Sequence, residues 1–219
     1  MPTFNAPSIQ AVLFDYGQVL SAPPDPAAWS DMCGITGLPE EALHAAYWEP
    51  RHAYDAGHLS GREYWARVTS TCTPALPQTR VDHLLAADIR LWTQLNDPMI
   101  AWARFLQRRG MKTGILSNIG DEMAAGINTK FPWIADFHHC TWSHTLNTAK
   151  PDPAIYLHAA SGLDTAPGNI LFIEDREDNI VAAREVGMVA IQYQDHQSFV
   201  DEMKALALDH LLQPPNSPL

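Results

Sequence analysis

Four short apolar runs along the chain each end on polar residues. Ala11–Phe14 is apolar at every position and stops at Asp15, with Gly17 just beyond. Residues 112–116 repeat the design and end at Ser117 and Asn118; residues 169–173 do so again and end at Glu174 and Asp175. Residues 188–191 form a fourth run, ending near Gln192. A run that is apolar on both faces predicts a strand buried in a parallel sheet, because such strands are covered by helices on each side.

Helical patterns separate these runs. Asp97-Pro98 opens a helix over 99–109 that Gly110 closes, and Asp152-Pro153 opens another over 154–160 with Gly162 beyond it. An Asp followed by Pro caps orphan amides and presets φ, which starts a helix; Gly ends one. An Ala-rich stretch over 179–186 stops at Gly187. Strand and helix in alternation predict an α/β fold: a Rossmann-like three-layer core around a parallel sheet.

Residues 22–95 break that alternation. They carry helical patterns only, at Glu40–Trp48, 60–69 and 79–95. Ser60 and Glu63 have the spacing of a capping box, and Tyr64, Trp65 and Val68 share one apolar face. The expected organisation is a core of 1–21 and 96–219 with a small helical cap, 22–95, inserted after the first strand. Gln213 to Leu219, rich in Pro, reads as a disordered tail.

Charge narrows the partners. Lys and Arg number 14 against 25 Asp and Glu, a net charge of −11, and no basic cluster interrupts this acidity. Nucleic acid and anionic membranes both require a basic face, so neither is an expected partner. No run approaches the ~20 apolar residues of a membrane span. The first ten residues have neither a basic nor an apolar stretch, and Cys33, Cys72 and Cys140 are unpaired in spacing, which fits reduced thiols in a cytoplasmic protein. A monomer or homodimer is expected.

In an open α/β sheet, ligands gather at the carboxyl ends of the strands. Asp15, Ser117-Asn118 and Glu174-Asp175 all fall there, and Lys150 stands just before a capped helix. Glu174, Asp175, the nearby Asp178 and Asp15 would repel one another unless they share a proton or a cation, and a hard ion such as Mg²⁺ would relieve that conflict. Lys150 and the Ser117 hydroxyl supply donors for an anion. Together they describe a phosphate site in which Asp15 is free to attack. The alternative is a set of turn residues beside an ordinary surface lysine.

Asp15 to Leu20 (DYGQVL), Leu116-Ser117-Asn118, Lys150-Pro151-Asp152-Pro153 and Glu174-Asp175 with Asn179 resemble the four ordered motifs of the haloacid dehalogenase-like hydrolases. That resemblance implies Mg²⁺ dependence and an aspartyl-phosphate intermediate. Asp15 would be nucleophile and metal ligand, Asp175 a second ligand, and the Gly17 carbonyl would also face the metal. Ser117 would hold the phosphoryl group, Asn118 would contact phosphate or support its loop, and Lys150 would stabilise the charge. Many family phosphatases place a second Asp two residues after the nucleophile as general acid; here Gly17 stands at that position, with neither Tyr16 nor Gln18 an obvious substitute. General acid catalysis contributes ~10²–10⁴-fold, so its absence favours good leaving groups such as sugar 1-phosphates.

The same gap, an acidic pair (here Glu174-Asp175), a later Asn (Asn179) and a segment like Tyr54-Asp55-Ala56-Gly57-His58 occur in a subgroup resembling α-D-glucose-1-phosphate phosphatases. The expected activity is therefore hydrolysis of a small phosphorylated metabolite, a hexose 1-phosphate among the candidates. Two alternatives are a metal-free 2-haloacid dehalogenase using Asp15 on carbon, and a catalytically weak binding protein. His138, His139 and His144 read as a polar strand or loop rather than a zinc site. Tyr47, Trp48, Tyr54, Tyr64 and Trp65 read as packing residues, and Arg51 as a side chain reaching toward substrate.

Overall fold

The computed structural model describes residues 8–212, so the readings of 1–7 and of the 213–219 tail lie outside the described residues. Five strands form one parallel sheet in the order β3-β2-β1-β4-β5: β1 Ala11–Phe14, β2 Lys112–Ser117, β3 His139–Trp142, β4 Ile170–Glu174 and β5 Val189–Gln192. β1 is central, with Phe14 in register with Ile115 on β2 and Ile173 on β4. Asp15, Ser117 and Glu174 therefore emerge side by side at the carboxyl edge.

Side chains alternate across a strand, and each face of this sheet has its own core. Val12, Phe14, Ile115, Leu171 and Ile173 pack on one face against Trp102, Leu106, Ile127, Phe199 and Met203. Ala11, Leu13, Leu116, Ile170 and Phe172 pack on the other against Ile155, Tyr156, Ala159 and Ile180. The result is three layers, with helices on both faces as the apolar runs require.

In chain order the helices are α1 (Pro26–Thr36), α2 (Glu40–Trp48), α3 (Arg51–Asp55), α4 (Gly61–Val68), α5 (Gln78–Leu91), α6 (Asp97–Arg108), α7 (Asp121–Lys130), α8 (Ser143–Leu146), α9 (Pro153–Gly162), α10 (Glu177–Glu185) and α11 (His196–Ala205). Helices α1 to α5 follow β1 and carry a third cluster built on Tyr47, Tyr54, Tyr64 and Trp65, each at most 1 % exposed. The Ser60–Glu63 capping box forms as predicted. Aromatic edges and faces meet throughout this cluster, and Tyr54 stacks on Tyr64 with centroids 4.6 Å apart.

Two chain crossings join this helical unit to the sheet. Ala22 N–H donates to the Gln94 carbonyl at 2.8 Å, and Asn96 N–H to the Leu20 carbonyl at 3.0 Å, an antiparallel bridge around Ser21 and Leu95. The unit also leans on the sheet side: Gly61 N–H donates to Asp121 Oδ1 at 2.9 Å, and the Tyr54 ring lies against Gly120 so closely that a methyl there would fall inside the ring. The helix predicted to run to 95 ends at Leu91, because Ala22 and Gln94 need extended backbone to cross.

Candidate active site

The site begins in the turn after β1. Asp15 N–H donates to the Ile173 carbonyl at 2.8 Å, continuing the sheet by one bond, and the chain then makes a wide turn closed by Ser21 N–H on the Tyr16 carbonyl. Asp15 Oδ1 accepts from Tyr16 N–H at 2.7 Å and pairs with Lys150 Nζ at 2.9 Å. Among the described residues no donor reaches Oδ2. A Cβ built at Gly17 would lie 3.9 Å from Oδ2, so that oxygen turns toward the open side of the turn.

Lys150 is 3 % exposed and spends its ammonium on three acceptors: Asp15 Oδ1, Glu174 Oε2 at 2.6 Å and the Leu116 carbonyl at 3.1 Å. A buried ammonium is costly unless so satisfied; here the two carboxylates overcome the burial that would lower its pKa and hold it above the ordinary lysine range. This burial sets Lys150 apart from the ordinary surface lysine of the alternative reading. Asn118 fixes its backbone in a reciprocal clasp, Nδ2 donating to the Lys150 carbonyl at 2.8 Å and Oδ1 accepting from Lys150 N–H at 2.7 Å. Asn118 thus supports the Lys150 loop with both ends of its amide occupied.

The carboxylates are unequal. Burial, then Glu174, push the Asp15 carboxyl up to about 6 against the pull of Lys150. Burial also acts to raise Glu174, but Lys150 outweighs it and holds Glu174 below the usual range. Asp175 is pushed up to about 8, by burial first and then by Asp15 and Glu174. Asp15, Glu174 and Asp175 each offer an oxygen within 4.8 Å of the others, among the described residues the one cluster able to hold a metal ion. Lys150 divides its single charge between Glu174 and Asp15, so three clustered carboxyls face one ammonium, and Asp175 has no ammonium of its own. Hard oxygen donors that repel one another in burial fit a hard divalent cation.

Asp178 departs from the expected cluster. Its carboxylate is held by Arg176 at 2.7 Å on the exposed rim. The two side chains have room there to pair with each other, which removes Asp178 from the repelling group. Asn179 is 2 % exposed, and its carbonyl accepts from the Tyr156 hydroxyl at 3.1 Å, anchoring the start of α10. Tyr16 is no proton donor to the site, since its hydroxyl donates to the Trp92 carbonyl at 3.0 Å.

These groups open into a cleft of about 740 Å³ between sheet and helical unit. Asp15, Gly17, Ser117, Lys150 and Asp175 line one wall; His44, Trp48, Arg51, His52, Asp55 and Trp92 line the other. Trp48 is 45 % exposed, so it is a cleft residue rather than the packing residue expected from sequence. His44, Trp48 and His52 recur every four positions, a spacing that puts them on one side of α2 and α3; that spacing was the available signal, hidden among so many other aromatics. Arg51 lines the cleft but is held in it: its Nε donates to Asp55 Oδ1 at 2.9 Å and its Nη1 to the Tyr47 hydroxyl. The three histidines do not assemble. His138 Nδ1 accepts from Thr113 N–H, His139 packs beside His158, and His144 meets the Ile119 carbonyl. Cys33, Cys72 and Cys140 are free.

Comparison with known proteins places this geometry. Bifunctional epoxide hydrolase 2 of Sus scrofa is 23 % identical over 96 % of this chain and 41 % of its own length. The β-phosphoglucomutase of Bacillus subtilis is 37 % identical over 39 % of this chain and 37 % of its own length, so the chain spans about two fifths of these relatives. Phosphatase MT3486 of Mycobacterium tuberculosis is 27 % identical over 84 % of this chain and 86 % of its own. Among solved structures, a Bacteroides thetaiotaomicron HAD family enzyme in complex with magnesium and inorganic phosphate shares the fold at a TM-score of 0.71 and 20 % identity, covering 87 % of this chain and 98 % of that one. The L-2-haloacid dehalogenase of Xanthobacter autotrophicus shares it at a TM-score of 0.66 and 15 % identity, covering 96 % and 92 %. Residues 10–187 match the haloacid dehalogenase-like hydrolase family, and the chain is a member of that family.

Proposed function

We propose that the protein is a Mg²⁺-dependent phosphatase that hydrolyses a small phosphate monoester through Asp15. The observation that carries this reading is the three-way contact of Lys150 with Asp15, Glu174 and the Leu116 carbonyl, beside an Asp175 that lacks a countercharge. Lys150 pairs with Glu174 and orients Asp15, so that Oδ1 is fixed and Oδ2 is the free nucleophilic oxygen. In that step Oδ2 bonds to phosphorus, the ester P–O bond breaks, and the leaving oxygen departs with a proton from water. Water then cleaves the aspartyl phosphate and restores the Asp15 carboxylate.

Asp15 and Asp175, with the Gly17 carbonyl, are the groups that would hold Mg²⁺. When bound, the ion supplies positive charge against the phosphoryl oxygens and relieves repulsion between the two carboxylates. Ser117, on the cleft wall, would donate to a phosphoryl oxygen. Helices α1 to α5 act as a cap whose Trp48, His44 and His52 face the leaving group. A side chain at Gly17 would point at Asp15; its absence leaves the leaving group without a positioned acid there, which favours stable leaving alkoxides such as those of hexose 1-phosphates.

The test is a phosphate-ester screen with Mg²⁺ on wild type and Asp15→Asn. Wild type is expected to release phosphate from sugar 1-phosphates and the variant to release none. Halide release from 2-haloacids without Mg²⁺, together with no phosphate release, would replace this reading by the dehalogenase one.

A further inference from the structure

Two glutamines grip Asp175. Gln18 Nε2 donates to its Oδ2 at 2.8 Å, and Gln192 Nε2 donates to its backbone carbonyl at 2.9 Å. We propose that Gln18 is a positioning residue that aims the Asp175 carboxylate at the cation; this rests on the reading of Asp15 and Asp175 as the cation-binding pair.

The backbone argues that the side chain is there for its amide. Gln18 stands at φ +56°, in the left-handed region that glycine enters freely and other residues enter at a cost. The turn imposes this conformation: Gln18 N–H donates to Ser21 Oγ at 3.0 Å, and Ser21 N–H closes on the Tyr16 carbonyl at 2.8 Å. Glycine would meet the turn's needs with less strain. It would lack the donor. Strain retained at one position beside a reactive pair points to what that side chain touches, and here it touches Asp175.

The choice of an amide also fits the charge requirement. Glu174 is met by the Lys150 ammonium. A cation at Gln18 would meet Asp175 in the same way and remove its attraction for a metal ion. A carboxamide fixes one oxygen with a neutral hydrogen bond and leaves the negative charge in place. The bond also stands where two clefts meet, since Gln18 and Asp175 border both the main cleft and a second one of about 600 Å³ lined by Asn96, Asp97 and Tyr193. It therefore keeps Asp175 from turning away from Asp15 into that second space.

Partners of metal-bound carboxylates typically account for ~10–100-fold in metal affinity. The experiment compares wild type, Gln18→Gly and Gln18→Asn by calorimetric titration with Mg²⁺ and by metal-free thermal melting. Gln18→Gly is expected to melt at or above the wild-type temperature without metal while binding Mg²⁺ about 10-fold or more weakly. Gln18→Asn, which tolerates the left-handed turn but is one methylene short of Asp175, is expected to show the same weakening. A Gln18→Gly protein with wild-type Mg²⁺ affinity would overturn the proposal while leaving the cation site intact. Failure of wild type to bind Mg²⁺ at all would remove the cation reading and this proposal with it.

Discussion

Binding of Mg²⁺ should expel a proton, and the number follows from the site. Without a cation, Asp175 is pushed up to about 8 and Asp15 to about 6. At pH 7 the first is then roughly 0.9 protonated and the second roughly 0.1, so a cation that requires both ionised releases about one proton. At pH 9 the same arithmetic leaves about 0.1 proton to release, and the apparent Mg²⁺ affinity should tighten about tenfold between the two pH values. The assay is titration calorimetry at each pH in two buffers of different ionisation enthalpy, where the slope of observed heat against buffer enthalpy counts protons. Equal heats in both buffers at pH 7, or an affinity independent of pH, would refute the placement of the cation on this pair. The sign on stability runs the other way. Folded-state carboxyl pKa values above the unfolded value near 3.9 mean that the metal-free fold loses stability as pH rises from about 4 to 8, and Mg²⁺ should restore most of that loss.

Three further outcomes follow from particular contacts. Lys150→Met would leave Asp15 and Glu174 facing each other in burial; breaking a buried pair costs ~3–5 kcal/mol, so the urea midpoint should fall accordingly and phosphate release should vanish, whereas a loss under ~1 kcal/mol would contradict the role given to the lysine. A Cβ at Gly17 meets Asp15 and Trp92 no closer than 3.9 Å, so Gly17→Asp should fold, and it should raise turnover of alkyl phosphates relative to p-nitrophenyl phosphate by up to ~10²-fold; an unchanged ratio would count against the missing-acid argument. Asp88 is buried beside Arg51 and Tyr47 and is pushed up to about 6, chiefly by burial, so its share of stability declines as pH rises through 4 to 6, by roughly 3 kcal/mol. In Asp88→Asn that share of the decline should be missing from urea melts at pH 4 and pH 8.

The sheet was legible where strands are buried on both faces. Ala11–Phe14 appears as predicted, and the other three runs shift by one residue at their ends. β3 reads as either strand or loop because it is an edge: His139, Cys140 and Trp142 are only partly buried, so its pattern lacks the continuous apolar run of a covered strand. Helix α1 gives no clear helical signal because the apolar residues of Pro26–Thr36 are spread around it rather than gathered on one face, and packing on α5 holds it. The positions of Asp15, Ser117, Lys150, Glu174 and Asp175 were readable because each ends or precedes a recognisable element. What the sequence did not disclose was pairing across the site. Gln18 lies 157 positions from Asp175 and Arg176 takes Asp178 away, and both depend on which side chains the turn after β1 and the start of α10 bring together.

The central claim is that Asp15 carries the phosphoryl group. Rapid quenching during turnover of a phosphate ester with Mg²⁺, followed by borohydride reduction and peptide mass spectrometry, reads this directly, since an acyl phosphate is reduced where a carboxylate is not. The account predicts conversion of residue 15 to homoserine, dependent on both ester and Mg²⁺. Phosphate release with residue 15 unmodified, and retained by Asp15→Asn, would contradict it.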